Sequence, residues 1–201
     1  MSEKNIIFDL DHTLGFFEQV IHIMNHSYFT CHEVLTFFPE CFRPLLLDFL
    51  KSLIPYKKSG KVKSILLYSN NNNDEFVKTV IDYIHKMIEY TLFDEIITME
   101  HPLRKKKQKD YEELIYICQG ILHEDSVICF IDDKIHPLMN KSNIFFIKCE
   151  GYVNIIKHDE MIDRIKQDIP KYTYKKRCLN KNNQQQISRL LTQRIRVFIL
   201  R

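Results

Sequence analysis

Asn5-Ile6-Ile7-Phe8-Asp9-Leu10-Asp11-His12-Thr13 is the stretch that decides the fold. An apolar run ends abruptly in two carboxylates. The run is continuous rather than alternating, which predicts a strand (Asn5–Leu10) buried on both faces, as in a parallel sheet. Ligands of open α/β sheets collect at the carboxyl ends of the strands. Two carboxylates one residue apart can share one site there if the backbone turns out of the strand. The pairing suits phosphoryl transfer through a covalent intermediate: one carboxylate attacks phosphorus, the other moves protons. Taken alone, Asp and Thr are also ordinary strand-ending and helix-capping residues.

Four further runs of the same kind follow. Ser64–Tyr68, Glu95–Met99, Ser126–Ile131 and Asn143–Lys148 are the expected second to fifth strands. Between them, apolar residues recur at helical spacing over Pro44–Leu53, Asn73–Tyr90, Asp110–Ile121 and Asp159–Ile169. Pro44 is placed in the first turn of its helix. Strands alternating with helices predict an α/β domain whose parallel sheet is covered by helices. Gly15–Phe38 is read as a flap or a short helical lid. No internal repeat is present.

Two of the later strands also end in polar chemistry. The second runs into Ser69-Asn70, where a hydroxyl and helix-start amides can bind phosphate; the plainer reading of Ser69 is an N-cap. The fourth ends in Asp132-Asp133, hard oxygen ligands suited to Mg²⁺ beside a phosphate, or else a solvated turn. Arg104–Lys109 (RKKKQK) precedes a helix, and one lysine of Lys105–Lys109 can neutralise a transferring phosphoryl group.

These four motifs, in this order, resemble the haloacid dehalogenase superfamily across roughly Asn5–Lys148. The resemblance implies a Rossmann-like, three-layer α/β/α fold with a mainly parallel sheet of about five strands. It also implies Asp9 as nucleophile and Asp11 as general acid/base, with Thr13 steadying the motif and Ser69 and Asn70 facing the phosphate. The implied Mg²⁺ ligands are Asp9, the Asp11 carbonyl, Asp132 and Asp133. The family's lysine falls on Lys109, with Lys107 as the alternative. Within the superfamily, FDLDHTL and the Phe42-Arg43-Pro44 segment before LLLDFLKSL resemble the phosphatases of the RNA polymerase II C-terminal domain, the NLI-interacting-factor-like group. Those proteins usually carry Thr where Ser69 stands and a Trp near the end; this chain has no Trp. The intervals between motifs leave no room for a large cap domain, so the implied substrate is macromolecular.

Composition narrows the classes. Gly is scarce, at 4 of 201 residues, so Gly-rich phosphate loops are disfavoured. No secretory signal or membrane span is expected. Six scattered cysteines without a CxxC pair predict reduced thiols in an intracellular protein, in cytoplasm or nucleus. Abundant Ile, Lys and Asn fit an AT-rich genome such as that of a parasite or a large DNA virus. The chain divides by charge into a catalytic domain over 1–170 and a basic extension over 171–201. The extension carries nine Lys/Arg and no Asp or Glu, leaving a net of −6 on the rest. Within it, Leu179–Gln186 is read as a polar linker. Ile187–Arg201 follows as an amphipathic helix, or a strand, with Ile187, Leu190, Leu191, Ile195 and Phe198 in one stripe. That stripe serves either recruitment or the core.

The leading expectation is a Mg²⁺-dependent phosphatase of a phosphoprotein, acting through an aspartyl-phosphate. The alternatives are a polynucleotide 3′-phosphatase, which the basic tail would favour by binding nucleic acid, and a silent binding module on the same fold.

Overall fold

The centre of a parallel sheet goes to a strand buried on both faces. In the computed structural model, which describes residues 3–174 and 181–200, this is Lys4–Phe8 (β1). Ile6 and Phe8 join the core on one side of the sheet, Ile7 the core on the other. Ser64–Tyr68 (β2), Glu95–Ile97 (β3), Val127–Asp132 (β4) and Ile144–Lys148 (β5) complete five parallel strands in the order β3-β2-β1-β4-β5.

The helices form the outer layers. Tyr111–Ile117 (α5) covers one face, where Tyr111 and Leu114 pack on Ile7, Leu66, Tyr68, Ile128 and Phe130. The other face carries Glu18–His26 (α1), Cys31–Phe37 (α2), Leu46–Lys58 (α3), Asp74–Ile88 (α4), His158–Ile165 (α6) and Lys181–Leu200 (α7). The result is a Rossmann-like α/β/α sandwich. Among the described residues there is no cap domain: α1 and α2, inserted between β1 and β2, pack in the helical layer with α2 against α4. No described helix is long and apolar enough to cross a membrane.

Several boundaries differ from the sequence reading. Pro44 lies outside α3, because Leu45 adopts a left-handed conformation (φ 64°) and the helix begins only at Leu46. α3 then runs past Leu53 and tolerates Pro55. Its buried face of Leu46, Phe49, Leu50 and Leu53 outweighs one missing N–H. Asn73, not Ser69, caps α4 by accepting from the Phe76 amide.

The polar stretch read as a linker is also different. Leu179 and Asn180 lie outside the described residues, but α7 begins at Lys181. Gln184 and Ser188 are buried on the same face as Leu191, Ile195, Phe198 and Ile199, whereas Leu190 is exposed. That face packs on β5 and α3, with the Phe198 ring stacked on Phe145 at 5.9 Å. Lys4 Nζ donates to the Ile199 carbonyl at 2.9 Å. Residues of the basic extension thus contribute to the same core as the sheet.

Two substitutions on α7 test this packing. Ile195 is 0% exposed and Leu190 52% exposed. Ile195→Ala is expected to cost about 2–5 kcal/mol in urea unfolding, and Leu190→Ala less than about 0.5 kcal/mol. Equal small effects would mean that α7 is not part of the core.

Candidate active site

The sheet order changes direction at β1, whose neighbours are β2 and β4, and the crevice at such a switch point is where ligands bind. Register does the rest. Phe8 pairs with Ile131, and the Asp9 amide donates to the Ile131 carbonyl at 2.9 Å, so Asp9 and Asp132 leave adjacent strands side by side. Asp9, Asp132 and Asp133 each offer an oxygen within 4.8 Å of the others.

Lys109 closes this cluster. Its Nζ donates to Asp9 Oδ1 at 2.5 Å and to Asp132 Oδ2 at 2.6 Å, and its side chain is 1% exposed. The Tyr68 and Phe130 rings flank the ammonium at 5.8 and 5.6 Å. The next residue, Asp110, caps α5 by accepting from the Glu113 amide at 2.9 Å, which fixes where Lys109 leaves the backbone. Lys105, Lys106 and Lys107 are exposed, so Lys109 is the lysine of that run held at the carboxylates.

After Asp9 the chain turns sharply. The Leu14 amide donates to the Leu10 carbonyl and the His12 amide to the Gly15 carbonyl, with His12 left-handed at φ 64°. Gly15 is required by space: a Cβ there would lie 2.4 Å from the Phe17 ring and 2.6 Å from the Cys41 carbonyl. The turn presents Asp11, whose Oδ2 accepts from Asn71 Nδ2 at 2.9 Å. Thr13 is fully buried, and its hydroxyl accepts from the Asp133 amide at 3.1 Å. It therefore supports the Asp133 loop.

The loop after β2 is held from below. Arg104 donates to the Ser69 carbonyl and to Asn70 Oδ1, both at 2.6 Å, while its guanidinium lies over the Tyr68 ring. The Ser69 hydroxyl accepts from the Asn71 amide at 3.1 Å. Asn70 is exposed and Asn71 half-buried.

Burial dominates the electrostatics. It lifts the Asp9 carboxyl to about 6 against the pull of Lys109, with the Asp132 and Asp11 charges adding to the rise. Asp11 and Asp133 are likewise raised, by burial first. Burial would raise Asp132 too, but His136, Lys109 and the Lys134 amide hold it below the ordinary value. His136 Nε2 lies 3.0 Å from Asp132 Oδ2. Asp132 is thus the most readily ionised of the four, while Asp9, Asp11 and Asp133 hold a proton more tightly than an ordinary carboxyl.

All eight residues singled out from sequence (Asp9, Asp11, Thr13, Ser69, Asn70, Lys109, Asp132 and Asp133) lie on the loops at this end of the sheet or directly behind them. The sequence pattern does not single out Arg104, Asn71 or His136. Arg104 was hidden in a basic run, Asn71 in a run of four asparagines, and only the i+4 spacing from Asp132 pointed to His136. A cleft of about 760 Å³ lies elsewhere, between the start of α3, α6 and residues 152–156, and contains none of these carboxylates. Comparison with family models, curated proteins and solved structures gives no match.

The Asp9 carboxyl has a pKa of about 6 in the folded chain, against an ordinary value of 3.8. Between those values the folded state binds more protons than the unfolded one, so Asp9 costs stability as pH rises through them. Asn carries no such charge. In metal-free protein, the melting-temperature advantage of Asp9→Asn over wild type is expected to be larger at about pH 7.5 than at about pH 5. The same difference at both pH values would contradict the raised carboxyl.

Proposed function

We propose that this chain is a Mg²⁺-dependent phosphatase of the haloacid dehalogenase type that works through an aspartyl-phosphate. The observation that carries the reading is Lys109, buried and bonded to Asp9 and Asp132 at once, with Asp133 beside them. A structural ion pair needs one carboxylate. Three converging carboxylates around one lysine, at a strand switch point, suit a site for a dication and a phosphate.

The donor set fits the metal. Asp9, Asp132 and Asp133 are hard oxygen ligands, and Mg²⁺ is usually held by one or two carboxylates together with waters and substrate phosphate. Bound there, with the Asp11 carbonyl as a further ligand, Mg²⁺ would neutralise charge on the phosphoryl group.

The chain's own residues supply the chemistry. A carboxylate oxygen of Asp9 attacks phosphorus, and the bond from phosphorus to the ester oxygen breaks. Asp11, raised by burial, gives its proton to the departing oxygen. As carboxylate it then takes a proton from water, whose oxygen attacks the aspartyl-phosphate. The bond from phosphorus to Asp9 breaks, phosphate leaves, and both residues return to their starting states. Lys109 holds positive charge beside the nucleophile throughout, and the loop of Ser69 and Asn70 would offer its polar groups to the phosphate. The uncapped strand ends favour a macromolecular phosphomonoester, a phosphoprotein first.

A side-by-side screen of phosphopeptides, 3′-phosphorylated oligonucleotides and sugar phosphates tests the reading. Turnover with phosphopeptides, abolished by EDTA and restored by Mg²⁺, is expected. Asp9→Asn should fold and lose at least about 99% of the rate, since an amide cannot attack phosphorus. Asp132→Ala should raise the Mg²⁺ concentration for half-maximal rate about tenfold or more. Full activity in EDTA would remove the metal, and a working Asp9→Asn would remove the nucleophile.

A further inference from the structure

Arg43 stands apart from the chemistry, yet it is bound to it. Its side chain is buried, 2% exposed. Nε donates to the Thr13 carbonyl at 2.6 Å, and Nη2 donates to the His12 carbonyl at 2.8 Å and to the Glu150 carbonyl at 2.7 Å. One guanidinium therefore ties the two residues that follow Asp11 to the loop that follows β5.

That second loop lies against the site. The Tyr152 amide donates to the same His12 carbonyl at 2.7 Å. A Cβ on Gly151 would lie 3.2 Å from Asp133 Oδ2 and 3.6 Å from His12 Cβ. His12 itself is held at φ 64°, an uncommon conformation for a residue with a side chain. The direction in which Asp11 leaves the backbone depends on this turn, and the carbonyl ending the turn is bound by Arg43.

The choice of side chain is informative. Among the described residues no carboxylate forms a salt bridge with Arg43, and Nη1 has no hydrogen-bond partner. Asp133 and Glu150 act on Arg43 only through space, and burying a guanidinium with no direct ion pair is costly. A planar fork can reach three carbonyls in fixed geometry, whereas a lysine offers one nitrogen on a flexible stem. We propose that Arg43 is a positioning residue for proton transfer: its guanidinium fixes the turn that aims Asp11 at the leaving group. This rests on the phosphatase reading above.

The test compares two aryl phosphates of nearly equal shape on the full chain. Phenyl phosphate leaves as a weakly acidic phenol and needs a proton from Asp11. p-Nitrophenyl phosphate leaves as a much more acidic phenol and needs one far less. Arg43→Lys and Arg43→Gln are measured against wild type, with melting curves to count folded protein. The expected result is a loss of kcat/KM for phenyl phosphate about tenfold or more greater than the loss for p-nitrophenyl phosphate. A merely structural role would lower both equally, in proportion to the folded fraction. Equal losses, or none, in variants of an active wild type overturn the inference and leave the phosphatase reading standing. Failure of both variants to fold overturns it as a role separable from stability. An inactive wild type overturns the reading and the inference together.

Discussion

A buried ammonium among carboxylates governs this end of the molecule. Asp9, Asp132 and Asp133 converge where β1 and β4 end, and Asp11 stands on the turn that follows. Negative charges so close together in a poorly solvated place repel strongly. Lys109 answers two of them directly. Its own position is set by the Asp110 cap on α5 and by the Tyr68 and Phe130 rings, which belong to β2 and β4. Sheet register, helix start and aromatic packing therefore converge on one nitrogen. The compensation is partial, since burial still lifts Asp9, Asp11 and Asp133. A site left short of positive charge is suited to accept a dication.

The loops around that centre are organised by side chains. Many phosphate-binding α/β proteins use glycines to bring backbone amides to the ligand, and this chain has four glycines in all. Two buried arginines take over the ordering. Arg104 holds the loop after β2 through the Ser69 carbonyl and the Asn70 amide oxygen. Arg43 holds the turn after β1 and the loop after β5 through three carbonyls.

The legible part of the sequence was the part governed by short-range pattern. Apolar runs ending in Asp9 and Asp132, and the run ending before Ser69, placed the strands to within a few residues, because strands buried on both faces must be apolar throughout. The acidic cluster followed, since parallel strands side by side carry their terminal residues to one edge. Partners chosen by tertiary contact were not legible. Arg104 reads like its solvated neighbours Lys105–Lys107, and nothing local marks Asn71 among four asparagines. The stretch Lys181–Gln186 looked like a linker by composition. It is helical because burial of Gln184, Ser188 and Leu191 along one face overrides the weak helix preference of asparagine.

Allocation of apolar surface also bears on what the site can admit. The two segments free to lie over the strand ends were the insertion between β1 and β2 and the basic extension. The insertion commits Val20, Ile23, Val34 and Leu35 to the helical layer. The extension commits Leu191, Ile195 and Phe198 to the same core. An apolar face buried in the domain cannot also close over a ligand without partial unfolding. Among the described residues, short loops border Asp9 and Asp11: those after β1, β2, β4 and β5 and the run from Arg104 to Lys109. Lys105 and Lys107 are exposed on the last of these, which gives the rim positive charge while the floor is acidic.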